Sequence, residues 1–231
     1  PAAIRERLGY LPQDFGVPAG LTCFELLDTL ARLKGVRSRS TVLGMLEGVG
    51  LHDLAKRPVE SLSGGMRQRL GIAQALIGSP ELVIVDEPTA GLDPEERVRF
   101  HNLLADIGES VIVILSTHIV SDVSDLCARM AIIHRGRVLL AGEPAALVRS
   151  IEGRVWEKAI ARGELDAARA AYPVISTRLL AGRTLVHVTG ESAPGPGFAP
   201  VEATLEDVYF SAIAGRHPDA PSPHAPERIA A

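Results

Sequence analysis

Two kinds of hydrophobic spacing alternate along the first part of the chain. Residues 22–34 repeat leucine every three or four positions, which is the spacing of an amphipathic helix. Thr22 precedes that helix and Glu25 follows three residues later, as in a capping box. The apolar run at 82–86 (LVIVD) instead indicates a parallel strand covered on both faces. A further apolar strand is expected at 111–116 (VIVILS). The alternation of such segments predicts an α/β fold.

The same patterns predict the remaining elements. Further strands are expected at 8–12, 130–134, 137–141, 173–180 and 184–190, and further helices at 40–49, 51–55, 66–77, 94–107, 119–127, 164–172 and 204–214. We therefore expect an α/β domain with a helical subdomain at 1–150 and a small C-terminal α/β accessory domain at 151–215. The proline-rich end at 216–231 is expected to be a disordered tail.

Composition narrows the class of protein. The 231 residues are 46% hydrophobic and 23% charged, which suits a soluble globular chain with one large domain and a small appendage. The net charge of −4 indicates no basic surface for nucleic acid. No apolar run is long enough to span a bilayer. Cys23 and Cys127 show neither a disulfide framework nor metal-site spacing, which fits a reducing cytosol.

Two acids end the apolar strand at 82–86. Asp86 and Glu87 would lie at the carboxyl edge of the sheet, where open α/β sheets bind ligands. The first acid can hold Mg²⁺, directly or through water, and the second is placed to polarise an attacking water. Taken alone, these residues could also be two ordinary carboxylates at a strand end. Their neighbours along the chain favour the chemical interpretation.

A glycine-rich turn precedes that strand at a fixed distance. Ser63, Gly64 and Gly65 open a predicted helix, so backbone N–H groups and the helix dipole would favour an anion there. Glycine lets a phosphate approach the backbone, and the serine adds a hydroxyl donor. A lone SGG is typical of helix caps and turns. Its position ahead of LVIVDEP makes a phosphate site the better interpretation.

Five motifs together resemble one family. The segments GYLPQ (9–13), LSGGMRQRLGIAQAL (62–76), LVIVDEPTAGLD (82–93) and LSTH (115–118) look like the Q-loop, signature, Walker B with D-loop, and H-loop of ABC transporter ATPases. They follow the family order, and the resemblance covers about residues 8–148. It implies a P-loop NTPase core that binds ATP and Mg²⁺ and hydrolyses ATP to power transport.

The resemblance implies a role for each matching position. Glu87 would be the general base, and His118 would contact the γ-phosphate. Gln13 would contact Mg²⁺ or the attacking water, and Asp86 would bind the Mg²⁺ shell. The turn at 63–65 (Ser63, Gly64 and Gly65) would bind the γ-phosphate of ATP held by the opposite subunit, and Asp93 would work across the dimer interface. Asp93 could equally cap the helix that begins at Pro94.

The resemblance also implies partners. Two ATPase subunits, alike or different, would sandwich two ATP molecules. The helical region between Gln13 and Ser63 would face a transmembrane permease at the cytoplasmic face of the membrane. GLTCFELLDTLARLKG (20–35) and TLEDVYFSAIAG (204–215) resemble segments of ABC-2 exporters. An unrelated accessory domain or dimerisation tail at 151–215 stays open.

One family motif does not occur in the sequence. A P-loop of the form GxxxxGK[ST] is absent, and in the family it lies upstream of the Q-loop. We therefore expect a truncated transporter ATPase that is inactive alone. The alternatives are a non-catalytic remnant that regulates a true ATPase and, less favoured, a soluble ABC ATPase acting on DNA or ribosomes.

Overall fold

The computed structural model describes residues 2–13, 16 and 20–219. It divides into two compact units, Pro1–Ile119 and Val120–Ala231. The first contains α1 (Ala2–Arg7), β1 (Leu8–Leu11), α2 (Cys23–Leu33), α3 (Arg39–Gly48), α4 (Gly64–Ala75), β2 (Leu82–Asp86), α5 (Pro94–Gly108) and β3 (Ile112–Ser116), with short 3₁₀ turns at His52–Leu54 and Val59–Ser61.

The strands of the first unit form a parallel sheet. Their order is β1-β2-β3, and Leu11, Val85 and Leu115 lie side by side near the carboxyl ends. Helices connect successive strands, so the predicted α/β class is confirmed. All three strands end at one edge, and the loops that follow them emerge together there.

The capping box predicted ahead of α2 is confirmed. Thr22 Oγ1 accepts a hydrogen bond from the Glu25 N–H at 3.2 Å, and Glu25 Oε2 accepts one from the Thr22 N–H at 2.9 Å. These bonds satisfy donors that a helix start leaves unpaired. The apolar stripe of α2 then buries Leu26 and Leu27.

The strands of the sheet differ in how well their faces are covered. We expected β2 to be covered on both faces; Val83 and Val85 are buried, and the alternate residues of β2 are half-buried. Ile112 and Ile114, however, are 67% and 50% exposed. Within the described part of the chain, this face of β3 therefore remains open. Periodicity reports that a strand is apolar, but not which elements cover it.

Helix α4 packs directly on β1 at Gly9. A Cβ built on Gly9 would lie 2.2 Å from the carbonyl oxygen of Ala75. No side chain larger than hydrogen fits this gap without movement of the backbone. Gly9 therefore fixes how closely the helix that begins at the glycine-rich turn approaches the sheet.

The second unit contains an antiparallel hairpin and an antiparallel sheet. Its elements are α6 (Val120–Leu126), β4 (Met130–His134), β5 (Arg137–Gly142), α7 (Pro144–Ser150), β6 (Val155–Ile160), α8 (Leu165–Ala171), β7 (Val174–Leu180), β8 (Arg183–Thr189), β9 (Ala199–Pro200) and α9 (Leu205–Ile213). Strands β4 and β5 pair with each other, and the sheet order is β7-β8-β6-β9. Helices α1 and α7 were not predicted.

One core joins the hairpin to the last helix. Its buried side chains come from the stretch between β4 and β6, from α9 and from the residue two positions before α9: Ile132, Leu140, Leu147, Ile151, Val155, Ala203, Leu205, Val208 and Ala212. The accessory domain proposed at 151–215 stays a prediction. Of the predicted tail at 216–231, residues 220–231 lie outside the described residues.

A histidine links the small sheet to α9. His187 of β8 is mostly buried, with Nδ1 2.7 Å from Asp207 Oδ1 and Nε2 3.0 Å from Glu157 Oε2. The hydrogen bond to Asp207 raises the pKa of His187. Burial raises the pKa of Asp207, but hydrogen bonds from His187 and Thr204 outweigh it and lower that pKa overall. The charged pair therefore stabilises the folded unit.

Because of the pair formed by His187 and Asp207, we expect the stability of the protein to depend on pH. Because the pKa of His187 is raised on folding, its contribution is full below the unfolded value near 6.5 and declines as pH rises through the folded pKa. We expect the free energy of unfolding to fall more steeply as pH rises above about 6.5 than it does in His187→Gln. Urea unfolding at several pH values measures this slope. His52→Gln, at an exposed position, is the control, and an unchanged slope in His187→Gln would contradict the assignment.

Candidate functional site

The acids of β2 meet β3 at the carboxyl edge of the sheet. Asp86 pairs in register with Ser116, whose Oγ donates a hydrogen bond to Asp86 Oδ1. The Glu87 N–H donates to the Ser116 carbonyl oxygen at 2.8 Å. Ser116 therefore holds the strand-end acid through its side chain and the next acid through its backbone. The sequence analysis did not single out Ser116, although its place in LSTH opposite Asp86 could have indicated it.

Glu87 has a constrained conformation. Its φ of 47° lies in the left-handed region, where residues other than glycine are uncommon and strained. Its Oε2 lies 2.5 Å from His118 Nδ1. The two atoms are close but are not aligned as a hydrogen bond, since buried Oε2 has no hydrogen-bond partner among the described residues. The strained backbone thus directs a carboxylate toward the exposed histidine that follows β3.

Gln13 lies at the same edge. It is the second residue after β1, as His118 is the second after β3, and its side chain is exposed. The ends of three adjacent parallel strands therefore present an amide, two carboxylates and an imidazole. The structure brings Asp86 into contact with Ser116 and Glu87 into contact with His118. Gln13 is exposed and follows the neighbouring strand β1.

The glycine-rich turn forms a second group of residues. Ser63 caps α4, and its Oγ accepts a hydrogen bond from the Met66 N–H at 3.3 Å. A Cβ built on Gly64 would meet only Leu92, at 3.9 Å, so its backbone is open to a ligand. The first turn of α4 itself contains no acidic residue. An anion at this helix start would meet N–H donors and the positive end of the helix dipole.

Asp93 caps the neighbouring helix. Its Oδ1 accepts a hydrogen bond from the Glu96 N–H at 2.9 Å, and Pro94 occupies the first helical turn of α5. The capping alternative is therefore confirmed. A second role across a dimer interface stays a prediction.

Two strand-end acids, a nearby histidine and a helix-capping glycine turn define the class of an α/β ATPase. Comparison with known proteins agrees. The family model described as ABC transporter matches residues 2–90. The ABC transporter ATP-binding protein YxlF of Bacillus subtilis is 34% identical, over 90% of this chain and 77% of its own length. The chain therefore belongs to the ABC transporter ATP-binding proteins, which are ATPases coupled to transport.

Two further relatives extend the comparison. Nod factor export ATP-binding protein I of Ralstonia nicotianae is 32% identical, over 89% of this chain and 70% of its own length. The solved structure of cbiO1 from Clostridium perfringens, part of the ABC transporter complex cbiONQ, matches with a TM-score of 0.57 and 27% identity. That match covers 65% of this chain and 64% of the cbiO1 chain. In the described residues, no helix has the length and hydropathy to cross a membrane.

Proposed function

We propose that this chain is the catalytic and coupling part of an ABC-2 type exporter ATPase. The observation that carries the proposal is the contact between Glu87 Oε2 and His118 Nδ1 at the edge where three parallel strands end. A general base must lie within hydrogen-bond reach of a water that attacks the γ-phosphate. Glu87 would orient that water, and His118 would hold the phosphate.

The residues present suit Mg²⁺ bound together with ATP. Among the described residues, no cluster of three or more His, Cys, Asp or Glu could hold a metal by itself. Mg²⁺ in nucleotide sites commonly uses one or two carboxylates plus phosphate oxygens. Asp86 would hold the ion, and Gln13 would contact Mg²⁺ or the attacking water, as the resemblance implies. Bound Mg²⁺ would neutralise charge on the phosphates. Ser116 would keep Asp86 oriented, since it donates to the carboxylate.

The second group of residues would act on another subunit's nucleotide. Gly64 has no close neighbour over its Cα, and the turn at 63–65 would receive the γ-phosphate, as the resemblance implies. Two ATPase subunits would then close around ATP, with Asp93 at their contact, and a transmembrane permease would hold them at the cytoplasmic face. The names of the relatives support this assembly, since one is a Nod factor export protein and the other belongs to a transporter complex.

The proposal is tested in a P-loop-containing subunit, meaning this chain preceded by a P-loop segment. We expect Mg²⁺-dependent ATP hydrolysis that rises when the subunit is reconstituted with its permease in vesicles. Absence of hydrolysis in a folded subunit that binds ATP would favour the non-catalytic, regulatory alternative. Stimulation of hydrolysis by DNA or ribosomes, and not by the permease, would favour a soluble ABC ATPase that acts on DNA or ribosomes.

For the chain without an added P-loop segment, we expect weak binding of ATP. Because it lacks the GxxxxGK[ST] motif that cradles the phosphates, we expect it to bind ATP with a dissociation constant weaker than about 100 μM. Isothermal titration calorimetry of the purified chain measures this, with the P-loop-containing subunit as the positive control. Micromolar affinity in the chain alone would contradict the expectation.

A further inference from the structure

A carboxylate lies beside the glycine-rich turn. Glu96, in the first turn of α5, places its side chain in the space that a Cβ of Gly65 would occupy: Oε2 would be 2.2 Å from that Cβ and the carboxyl carbon 2.7 Å. The backbone N–H of Glu96 is meanwhile held by Asp93. Glu96 therefore packs α5 against Gly65, the second glycine of the turn, and the missing side chain of Gly65 leaves the space for it.

Arg69 holds the same carboxylate from α4. Its Nη2 lies 3.4 Å from Glu96 Oε2, and its Nη1 donates to the carbonyl oxygens of Val49 at 3.0 Å and Gly50 at 3.4 Å. The side chains of Arg69 and Glu96 are only 12% and 14% exposed. One guanidinium thus ties the end of α3 and the start of α5 to the helix that begins at the glycine-rich turn.

This arrangement has an electrostatic consequence for the turn. A negative charge in a mostly buried position beside a phosphate site opposes binding of an anion, because the poorly polarisable surroundings screen it weakly. Arg69 brings an opposite charge to the oxygen that faces Gly65. With Arg69 present, the pair is neutral as seen from the turn, and the N–H groups of α4 remain attractive to phosphate.

We propose that Arg69 is a positioning residue that both holds Glu96 against Gly65 and cancels its charge, so that the turn at 63–65 can accept phosphate. This inference rests on the proposed role of that turn in ATP binding. It requires that Arg69 act through Glu96 and not on the nucleotide. Removing the carboxylate should then make the arginine dispensable for binding.

The chain supplies a matched control. Arg99 Nη1 lies 3.3 Å from the other oxygen of Glu96, and its Nη2 lies 2.6 Å from Glu95. Arg99 is exposed, and exposed ion pairs contribute little. Both arginines contact the same carboxylate, but only Arg69 meets the oxygen beside Gly65.

The test measures KM for ATP and kcat in the P-loop-containing subunit. We expect Arg69→Gln to raise KM on the order of tenfold, with kcat changed by less than about threefold. Glu96→Gln and the double variant Arg69→Gln/Glu96→Gln should both stay within about twofold of the wild-type KM. Arg99→Gln should also stay within about twofold, and Arg69→Lys should lie closer to wild type than Arg69→Gln because it keeps the charge.

Restoration of KM in the double variant distinguishes charge compensation from a structural role. A double variant as defective as Arg69→Gln, or a wild-type KM in Arg69→Gln, would overturn the inference. If Arg69→Gln does not fold, the comparison of the double variant with Glu96→Gln still tests the inference. Equal KM values for ATP would support it, and a tenfold difference would contradict it. Failure of the proposed function would give a different result. Glu87→Gln would then retain ATP turnover, whichever residue occupies position 69.

Discussion

Replacing Glu87 by glutamine should nearly abolish ATP turnover while leaving ATP binding intact. The amide has the same shape as the carboxylate and can stay beside His118, but it cannot accept a proton from an attacking water. General-base catalysis contributes about 10²–10⁴-fold, so we expect kcat in the P-loop-containing subunit to fall by at least about 100-fold. The ATP affinity should change by less than about threefold, because the phosphates are held by other groups.

Single-turnover hydrolysis and equilibrium binding on the same preparation separate these two quantities. Glu109→Gln, at the exposed end of α5, is the matched control, since it makes the same chemical change away from the sheet edge. It should leave both quantities unchanged. Turnover at the wild-type rate in Glu87→Gln would remove Glu87 from the role of general base.

The second large effect concerns stability. Gly9→Ala should lower the free energy of unfolding by about 3 kcal/mol, because the new Cβ would lie 2.2 Å from the Ala75 carbonyl oxygen. Neither atom belongs to a flexible side chain, so β1 or α4 must move. Thermal and urea unfolding of the purified chain measure the loss.

Gly44→Ala separates this contact from a general effect of alanine. Gly44 lies within α3, and a Cβ there would meet nothing within 4 Å. Alanine favours a helix over glycine by about 1 kcal/mol, so this variant should be neutral or slightly more stable. Equal stabilities for the two variants would show that β1 and α4 can separate at no cost.

The elements that sequence predicted best are those with strong local signals. The capping box of α2, the apolar run of β2 and the Asp-Pro start of α5 each depend on residues within a few positions of one another. Helix α7 carried one such signal, Pro144 in its first turn, but its seven residues are too few to show a clear period. Short elements depend on packing more than on their own pattern.

The residues of the candidate site also differ in how far the sequence could predict them. Spacing along the chain singled out Asp86, Glu87 and His118 as candidates, because the motifs place these residue types at fixed intervals. It did not show that Ser116, although part of LSTH, faces Asp86, because that follows from the register of β2 and β3. Nor could it identify the contact between Glu96 and Gly65, which are 31 residues apart in the printed sequence and meet only when α4 and α5 pack.

The core shared by the β4–β5 hairpin and α9 makes two stretches that are distant in sequence depend on each other for their stability. A chain cut after residue 150 would leave Ile132, Leu140 and Leu147 without the apolar side chains that cover them. Substitutions that change volume in the hairpin therefore call for compensating changes in α9, and the reverse. The last helix and the hairpin should have diverged in step with each other, as two surfaces of a single interface do.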